Sequence, residues 1–565
     1  MTAIAIRRST NPVAIRQLTA KFGLSAGPLR CIVLLWVLPF MPWLAAAESR
    51  PNIVIVMVDD MGFSDIGCYG SEISTPNLDA LAAGGRKFSR FYNTGRCCPT
   101  RASLLTGLTS HNAGVGWMTA DQGVDGYRGQ LNDRCVTIAE VLRDAGYFTA
   151  MTGKWHVGWE HGVTPSGRGF DRSLNLPAGG LHFSNQTGSK GGTKLFLDGE
   201  QIARDDPQFD PPWYGTDLWT RWGLKFVGEA VEAEKPFFWY LGHVAPHFPC
   251  MAPEETIAPF RGRYMRGWDR LREERHARQI ESGLVEKRWP LPSRPDAIPA
   301  WQSLDDETKR RYDDMMAIYA AMIVEVDRSI GKLVDALEAI DQLDNTLILF
   351  LSDNGGNAET GVKGKYEGDS PGDPHSNVFI GQCWAHLNNT PFRKYKHYNH
   401  EGGIATPLIA HWPRGIPKSD SSIASADRWE RTPTHVIDLM ATCVDLAGAT
   451  YPNAVDGRPI RPMQGQSLRP LLTGKGDFST RTLHWEHEGN AAILDGDWKL
   501  VRAGSRQPWE LFDMRSDRTE QNNLASQQSE KAEQLRQQWR EWAKSNQVLP
   551  KPPPKAKKPR KAKQA

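Results

Sequence analysis

The chain reads as an α/β protein: a large mixed, mostly parallel sheet flanked by helices, then a smaller antiparallel sheet with one helix. Three observations predict this. First, four short and continuous apolar runs each lead straight into polar residues: 53–58 before Asp59-Asp60, 148–151 before Lys154 and His156, 237–241 before His243 and His247, and 347–351 before Asp353-Asn354. Such runs fit strands covered on both faces. Second, helical patterns lie between them, and the alternation lasts from about residue 50 to about 450. Third, the pattern then changes to short strands with turn dipeptides.

The helices follow in order. Residues 76–86 and 137–146 combine helix-start residues, apolar spacing of three or four and a closing glycine. The longest candidate, 306–341, puts Tyr312, Met315, Tyr319, Met322, Val326, Ile330, Leu333 and Leu337 on one face. Its methionines read as adaptable core filler. Residues 489–514 predict short strands with turns at Asp495-Gly496 and Gly504-Ser505, followed by a polar helix over 526–545. In open α/β sheets ligands bind beyond the carboxyl ends of the strands, so the four polar clusters are expected to meet at one edge.

Composition sets limits. With 565 residues, 40% hydrophobic and 24% charged, the chain can bury a sizeable core. The net charge of +3 is small, and seven basic residues crowd the tail between Lys551 and Lys563. The folded body is thus near neutral, which argues against a nucleic-acid-binding protein. The tail itself, 549–565, is too rich in Pro and Lys to bury apolar surface and is expected to be solvated.

At the other end, basic residues precede an apolar run, 31–44, which closes on Ala45-Ala46-Ala47. This predicts a signal peptide over 1–47 and a periplasmic or secreted protein. The run is short for a bilayer span and is interrupted by Pro39 and Pro42, so an integral membrane protein is not expected. Of the eight cysteines, Cys31 would leave with the leader. The seven that remain show no metal-type CxxC spacing, and an odd count in an exported chain suggests one thiol with separate chemistry.

That thiol is Cys97. The run Cys97-Cys98-Pro99-Thr100-Arg101, followed by Leu105-Thr106-Gly107, resembles the CxPxR signature of the sulfatase family, in which the first cysteine is oxidised to formylglycine by a dedicated generating enzyme. Further family motifs occur in order: RPNIVIVMVDDMGFSDIGCYG, GKWHVG, APHFP, LSDNGG and NNTPFRKYKHYNHEGG, with GDWKLV and WELFDM similar to the C-terminal part of bacterial arylsulfatases. The resemblance implies an alkaline-phosphatase-like fold, a catalytic domain over 48–455 and a C-terminal α+β subdomain over 456–548. It implies that Asp59, Asp60, Asp353 and Asn354, with the converted Cys97, bind one cation, and that Arg101, Lys154, His156, His247 and Lys396 surround the sulfate.

The residue chemistry agrees with that assignment. Carboxylates and an amide oxygen are hard donors that suit calcium, or less well magnesium, and not zinc. Arg101, Lys154 and Lys396 would offset charge on the sulfuryl oxygens. His247, helped by Lys396, would protonate the leaving oxygen, and His156 would take a proton from the hydrate at position 97. His243, His397 and His400 are candidates for contacts around the centre, whereas the 484–487 run His-Trp-Glu-His reads as buried packing. Loops 177–222 and 357–390 are expected to line the pocket mouth, which could admit an aryl, alkyl or carbohydrate sulfate. Two other readings remain open from sequence: a formylglycine-dependent phosphonate monoester or phosphodiester hydrolase, and an inactive sulfated-glycan-binding protein with an unconverted Cys97.

Overall fold

The four apolar runs form the parallel centre of an eleven-stranded sheet in the computed structural model, which describes residues 50–159, 161–417 and 429–549. The expected leader, 1–47, and the basic tail from residue 550 on lie outside these residues. Strands β1 (Asn52–Val58), β2 (Arg86–Tyr92), β3 (Phe148–Lys154), β4 (Arg172–Leu176), β5 (Leu195–Leu197), β6 (Glu200–Ile202), β7 (Phe237–Gly242), β8 (Thr346–Ser352), β9 (Ala405–His411), β10 (Trp429–Glu430) and β11 (Thr434–His435) make it up. Their order is β10-β2-β9-β8-β1-β7-β3-β4-β5-β6, with β11 also on β2.

The centre is parallel: Ile55 stands opposite Tyr240 of β7 on one side and Leu349 of β8 on the other. Strand β9 runs antiparallel to both β8 and β2, which makes the sheet mixed. Alternate residues of β1 enter different cores. Val54, Val56 and Val58 join one, and Ile53, Ile55 and Met57 the other. A strand buried on both faces needs no polar alternation, so its sequence is a continuous apolar run.

Helices cover each face. Helix α1 (Pro76–Ala83) and the long α5 (Asp306–Ala339) lie on the first core, with α4 (Gly215–Glu232) beside them. Helix α2 (Cys97–Thr106), α3 (Ile138–Asp144) and α6 (Asp438–Ala447) lie on the second. Thr137 and Glu140 close a reciprocal capping box on α3, and the Asp305 carboxylate accepts from the Thr308 backbone N–H at 2.7 Å to start α5. Helix α1 stops earlier than its sequence pattern suggested, because Gly84-Gly85 hand the chain directly to β2.

Beyond residue 480, β12 (Leu483–His487), β13 (Asn490–Asp495), β14 (Trp498–Arg502) and β15 (Glu510–Asp513) form an antiparallel sheet, followed by α7 (Ser529–Ser545). Ala491, Ile493, Leu500 and Leu511 pack with Leu535 and Trp539 of α7. The intervening residues Trp485, Ala492, Val501 and Phe512 belong to the main core. The small sheet is therefore clamped between its own helix and the large one. The Trp485 indole N–H donates to Asn93 O at 2.7 Å, tying β12 to the segment just before Cys97.

Candidate active site

Because β1, β3, β7 and β8 are parallel, their carboxyl ends share one edge, and the polar residues after them converge there. Asp59 and Asp60 follow β1, Lys154 ends β3 with His156 two residues on, His247 lies in the loop after β7, and Asp353 and Asn354 follow β8. Two glycines permit the close approach. A Cβ at Gly153, whose φ is +97°, would fall 2.0 Å from Gly242 O of the adjoining strand. A Cβ at Gly355 would fall 1.9 Å from Gly402 O, so the loop bearing Asp353 can lie against the segment that follows Lys396.

Cys97 enters the same edge from the first position of α2, where it is buried. The turn before it is held locally: Thr94 N–H donates to Thr100 Oγ1 at 3.1 Å and Gly95 N–H to Asn93 Oδ1 at 2.8 Å. Arg101 lies four residues on, hence on the same helix face as Cys97. Cys97, Cys98 and His156 bring one ligand-type atom each to within 4.8 Å of one another. The Cys98 thiol, His156 and Lys154 together hold the Cys97 thiol well below its usual range despite burial. The amino end of α2 adds a favourable dipole for negative charge at this position.

The charges interlock. Lys154 Nζ is 2.5 Å from Asp59 Oδ2, and Lys396 Nζ is 2.6 Å from Asp60 Oδ1. Arg101 Nη2 is 2.8 Å from Asp353 Oδ2 and 3.6 Å from Asp59 Oδ2. His247 Nε2 is 3.6 Å from Asp60 Oδ2, while its Nδ1 lies 2.6 Å from Phe248 O. Burial acts to raise the Asp59 carboxyl, but Lys154, His247 and Arg101 outweigh it and hold Asp59 well below the carboxylate range. Asp353 goes the other way: burial, then the charge of Asp59, push it well above. Burial and Lys154 depress His156 to about 4, and burial also lowers His247. Asp60 and His156 both adopt left-handed backbone, φ +69° and +58°, a local strain of about 1–3 kcal/mol each of the kind that functional sites retain.

The donor set fits a hard cation. Asp59 Oδ1 and Asn354 Oδ1 are buried oxygens with no hydrogen-bond donor. Orphaned acceptors of this kind are costly in a protein interior. A divalent ion among Asp59, Asp60, Asp353 and Asn354 would engage both and would relieve the charge that pushes Asp353 up. All ten residues singled out from sequence, Asp59, Asp60, Cys97, Arg101, Lys154, His156, His247, Asp353, Asn354 and Lys396, thus lie in or against one buried cluster.

Some neighbours differ from expectation. His243 faces away, with Nε2 3.0 Å from Ser329 Oγ on α5, because it directly follows β7 and points to the opposite face from the site. His400 pairs with Glu510 of β15 at 2.8 Å. His397 does stand at the rim, 3.1 Å from Glu359. Sequence reading passed over Asn357, whose Nδ2 donates to Asp60 Oδ2 at 2.6 Å, and Tyr240, whose hydroxyl accepts from Arg101 Nη1 at 3.2 Å. The first could have been noticed as the next polar residue of the same Gly-rich loop. Within the 484–487 run His484 and Glu486 pack as expected, His484 stacking on Trp542 and Glu486 lying 3.0 Å from His111, whereas the buried His487 ring has no hydrogen-bond partner. Among the described residues all seven cysteines are free thiols.

Comparison with known proteins accords with this geometry. The sulfatase family model matches residues 51–449, and a model of the N-sulphoglucosamine sulphohydrolase C-terminal region matches 392–545. An arylsulfatase of Klebsiella aerogenes is 34% identical over 452 residues, 76% of this chain and 94% of that protein. An uncharacterized sulfatase of Schizosaccharomyces pombe is 33% identical over 532 residues, 87% of this chain and 93% of its own. Among solved structures, Ps i-CgsB in complex with k-i-k-neocarrahexaose superposes with a TM-score of 0.64 at 26% identity, covering 88% of this chain and 93% of that one. The mixed sheet with its small C-terminal companion is accordingly the alkaline-phosphatase-like arrangement. The chain belongs to the sulfatase family, enzymes that hydrolyse sulfate esters.

Proposed function

We propose that this enzyme cleaves a sulfate monoester through a formylglycine formed from Cys97, with one calcium ion held by Asp59, Asp60, Asp353 and Asn354. The observation that carries the reading is the placement of Cys97: a buried residue at the amino end of α2, among Lys154, His156 and Arg101, beside the Asp59 carboxylate and the Asn354 amide, each with an orphaned oxygen. An aldehyde hydrate there supplies one hydroxyl to attack sulfur and a second whose deprotonation expels sulfate, and the cation supplies Lewis-acid polarisation.

The side chains have separable tasks. Arg101, Lys154 and Lys396 present three fixed cations to the three non-bridging sulfuryl oxygens. His247 protonates the departing oxygen as the imidazolium, the form that the neighbouring Asp60 and Asp59 carboxylates favour against burial; its Nδ1–H goes to Phe248 O, which leaves the Nε2 proton toward the site. His156, depressed to about 4, is a neutral base at pH 7 and is placed to take a proton from position 97. Asp353 is held beside Arg101 and accepts the proton of the attacking hydroxyl.

The relatives favour an aryl or a carbohydrate sulfate as substrate, since one is an arylsulfatase and another binds an oligosaccharide. The leader over 1–47 supports a periplasmic or secreted enzyme that meets its generating enzyme during maturation. The reaction is tested by comparing kcat/KM on an aryl sulfate, an aryl phosphodiester and a phosphonate monoester with fully converted protein. Preference for the sulfate supports the reading; preference for either phosphorus ester overturns it. Binding of sulfated glycans without turnover would do so too.

A further inference from the structure

At the rim of the centre, two histidines and a glutamate from different parts of the chain meet without having been assigned to catalysis. His397 follows Lys396 on the catalytic loop, while His487 ends β12 and Glu488 opens the turn to β13. Ligand-type atoms of the three lie within 4.8 Å of one another. We propose that His397, His487 and Glu488 form a second metal site, one for a borderline divalent ion of the zinc type, distinct from the oxygen-donor site below it.

Three features support this. Glu488 is oriented: Trp117 Nε1–H donates to its Oε1 at 2.6 Å, leaving Oε2 toward both imidazoles, 3.1 Å from His397 Nδ1 and 3.9 Å from His487 Nε2. His487 is wholly buried, yet neither ring nitrogen has a hydrogen-bond partner. A buried imidazole in that state is costly unless something takes up a lone pair. His397 has the outer partner expected of a metal-bound imidazole: with Nδ1 toward the ion, Nε2 lies 3.1 Å from Glu359 Oε1.

Two imidazole nitrogens and one carboxylate oxygen are a zinc-type donor set, with a position left for solvent, and calcium disfavours it. Arg96 also touches the His397 ring and is anchored to Glu359 at 2.7 Å. The carboxylates of Glu359 and Glu488 are matched by Arg96 and by Lys396, whose Nζ is 3.8 Å from Glu359, so a cation there would be held by its donor atoms and not by a net negative pocket. A bound ion would fasten the loop carrying Lys396 to the turn of the C-terminal sheet.

The test uses calcium-loaded, fully converted enzyme freed of other metals, titrated with Zn2+ by calorimetry and with Co2+ by visible absorption. One saturable ion per chain is expected. His397→Ala and His487→Asn should each weaken it at least about tenfold, the loss that removing even an outer-shell partner causes, with His156→Ala unchanged. His397 is part-exposed, so its variant remains informative if His487→Asn fails to fold. Equal affinity in the His397 variant, loss only in the His156 variant, or no saturable binding overturns the proposal. None of these outcomes depends on sulfate hydrolysis.

Discussion

Arg101 directs two nitrogens to one carboxylate oxygen: Nε lies 3.1 Å and Nη2 2.8 Å from Asp353 Oδ2, with all three atoms sealed from solvent. The helix bearing Cys97 is thereby fixed to the end of β8. Removing the guanidinium leaves Asp353 buried beside Asp59 with less compensation. Arg101→Ala is expected to cost about 3–5 kcal/mol in stability, the usual consequence of breaking one side of a buried ion pair. Activity should fall further than in Arg101→Lys, which keeps the charge but loses the planar fork. Denaturant unfolding and kcat/KM check both; a fully stable, active Arg101→Ala enzyme would refute this role.

His247 as proton donor makes a prediction about leaving groups. A nitrophenolate departs without help, whereas an alkoxide needs a proton. His247→Ala should reduce kcat on an alkyl or sugar sulfate by about 10²–10⁴, the range of general acid catalysis, and on nitrophenyl sulfate far less. Equal losses on both substrates would assign His247 a different task.

Metal removal tests the oxygen cage. Dialysis against a calcium chelator should abolish turnover, with Ca2+ restoring it better than Mg2+, because the proposed ligands Asp59, Asp60, Asp353 and Asn354 are all buried oxygen donors. Asp59→Asn should raise the Ca2+ concentration needed for half-activation. Restoration by Zn2+ alone would contradict the donor assignment.

A pH prediction comes from the seam between the sheets. Glu401 is wholly buried, 2.7 Å from Lys499 of β14 and 3.0 Å from Arg518. Burial opposes its ionisation, but Lys499 and Arg518 outweigh it and lower its pKa from 4.5. A depressed carboxyl contributes stability that is fully present above 4.5 and is lost as pH falls through the lower folded value. The Tm gap between wild type and Glu401→Gln should therefore be widest near neutrality and narrow below pH 4.5. A gap independent of pH would remove Glu401 from the acid response.

The strands of the sheet centre were legible because burial on both faces leaves an unbroken apolar run, as in 53–58 and 347–351. Edge strands β5, β6, β10 and β11 were not, since two or three residues carry no readable period. The strand order was equally hidden: β9 follows β8 by some fifty residues of loop and helix, and nothing local says that it runs antiparallel. In the site, residues inside motifs could be named in advance, and the parallel strand ends explain why they meet. His243 shows the limit of that logic. It directly follows the same strand as the loop of His247, yet it faces α5, and side-chain direction at a strand end depends on the turn that follows. Contacts supplied from afar, such as Glu488 to His397, needed the fold itself.

The state of residue 97 tests the central claim most directly. Protein made in a host with the generating enzyme should yield a peptide containing position 97 that lacks one sulfur and two hydrogens and has one more oxygen than the encoded cysteine. Specific activity on an aryl sulfate should rise in proportion to that converted fraction, and Cys97→Ala should fold without activity. A homogeneous, unmodified Cys97 in an enzyme that cleaves sulfate esters at full rate would contradict the account.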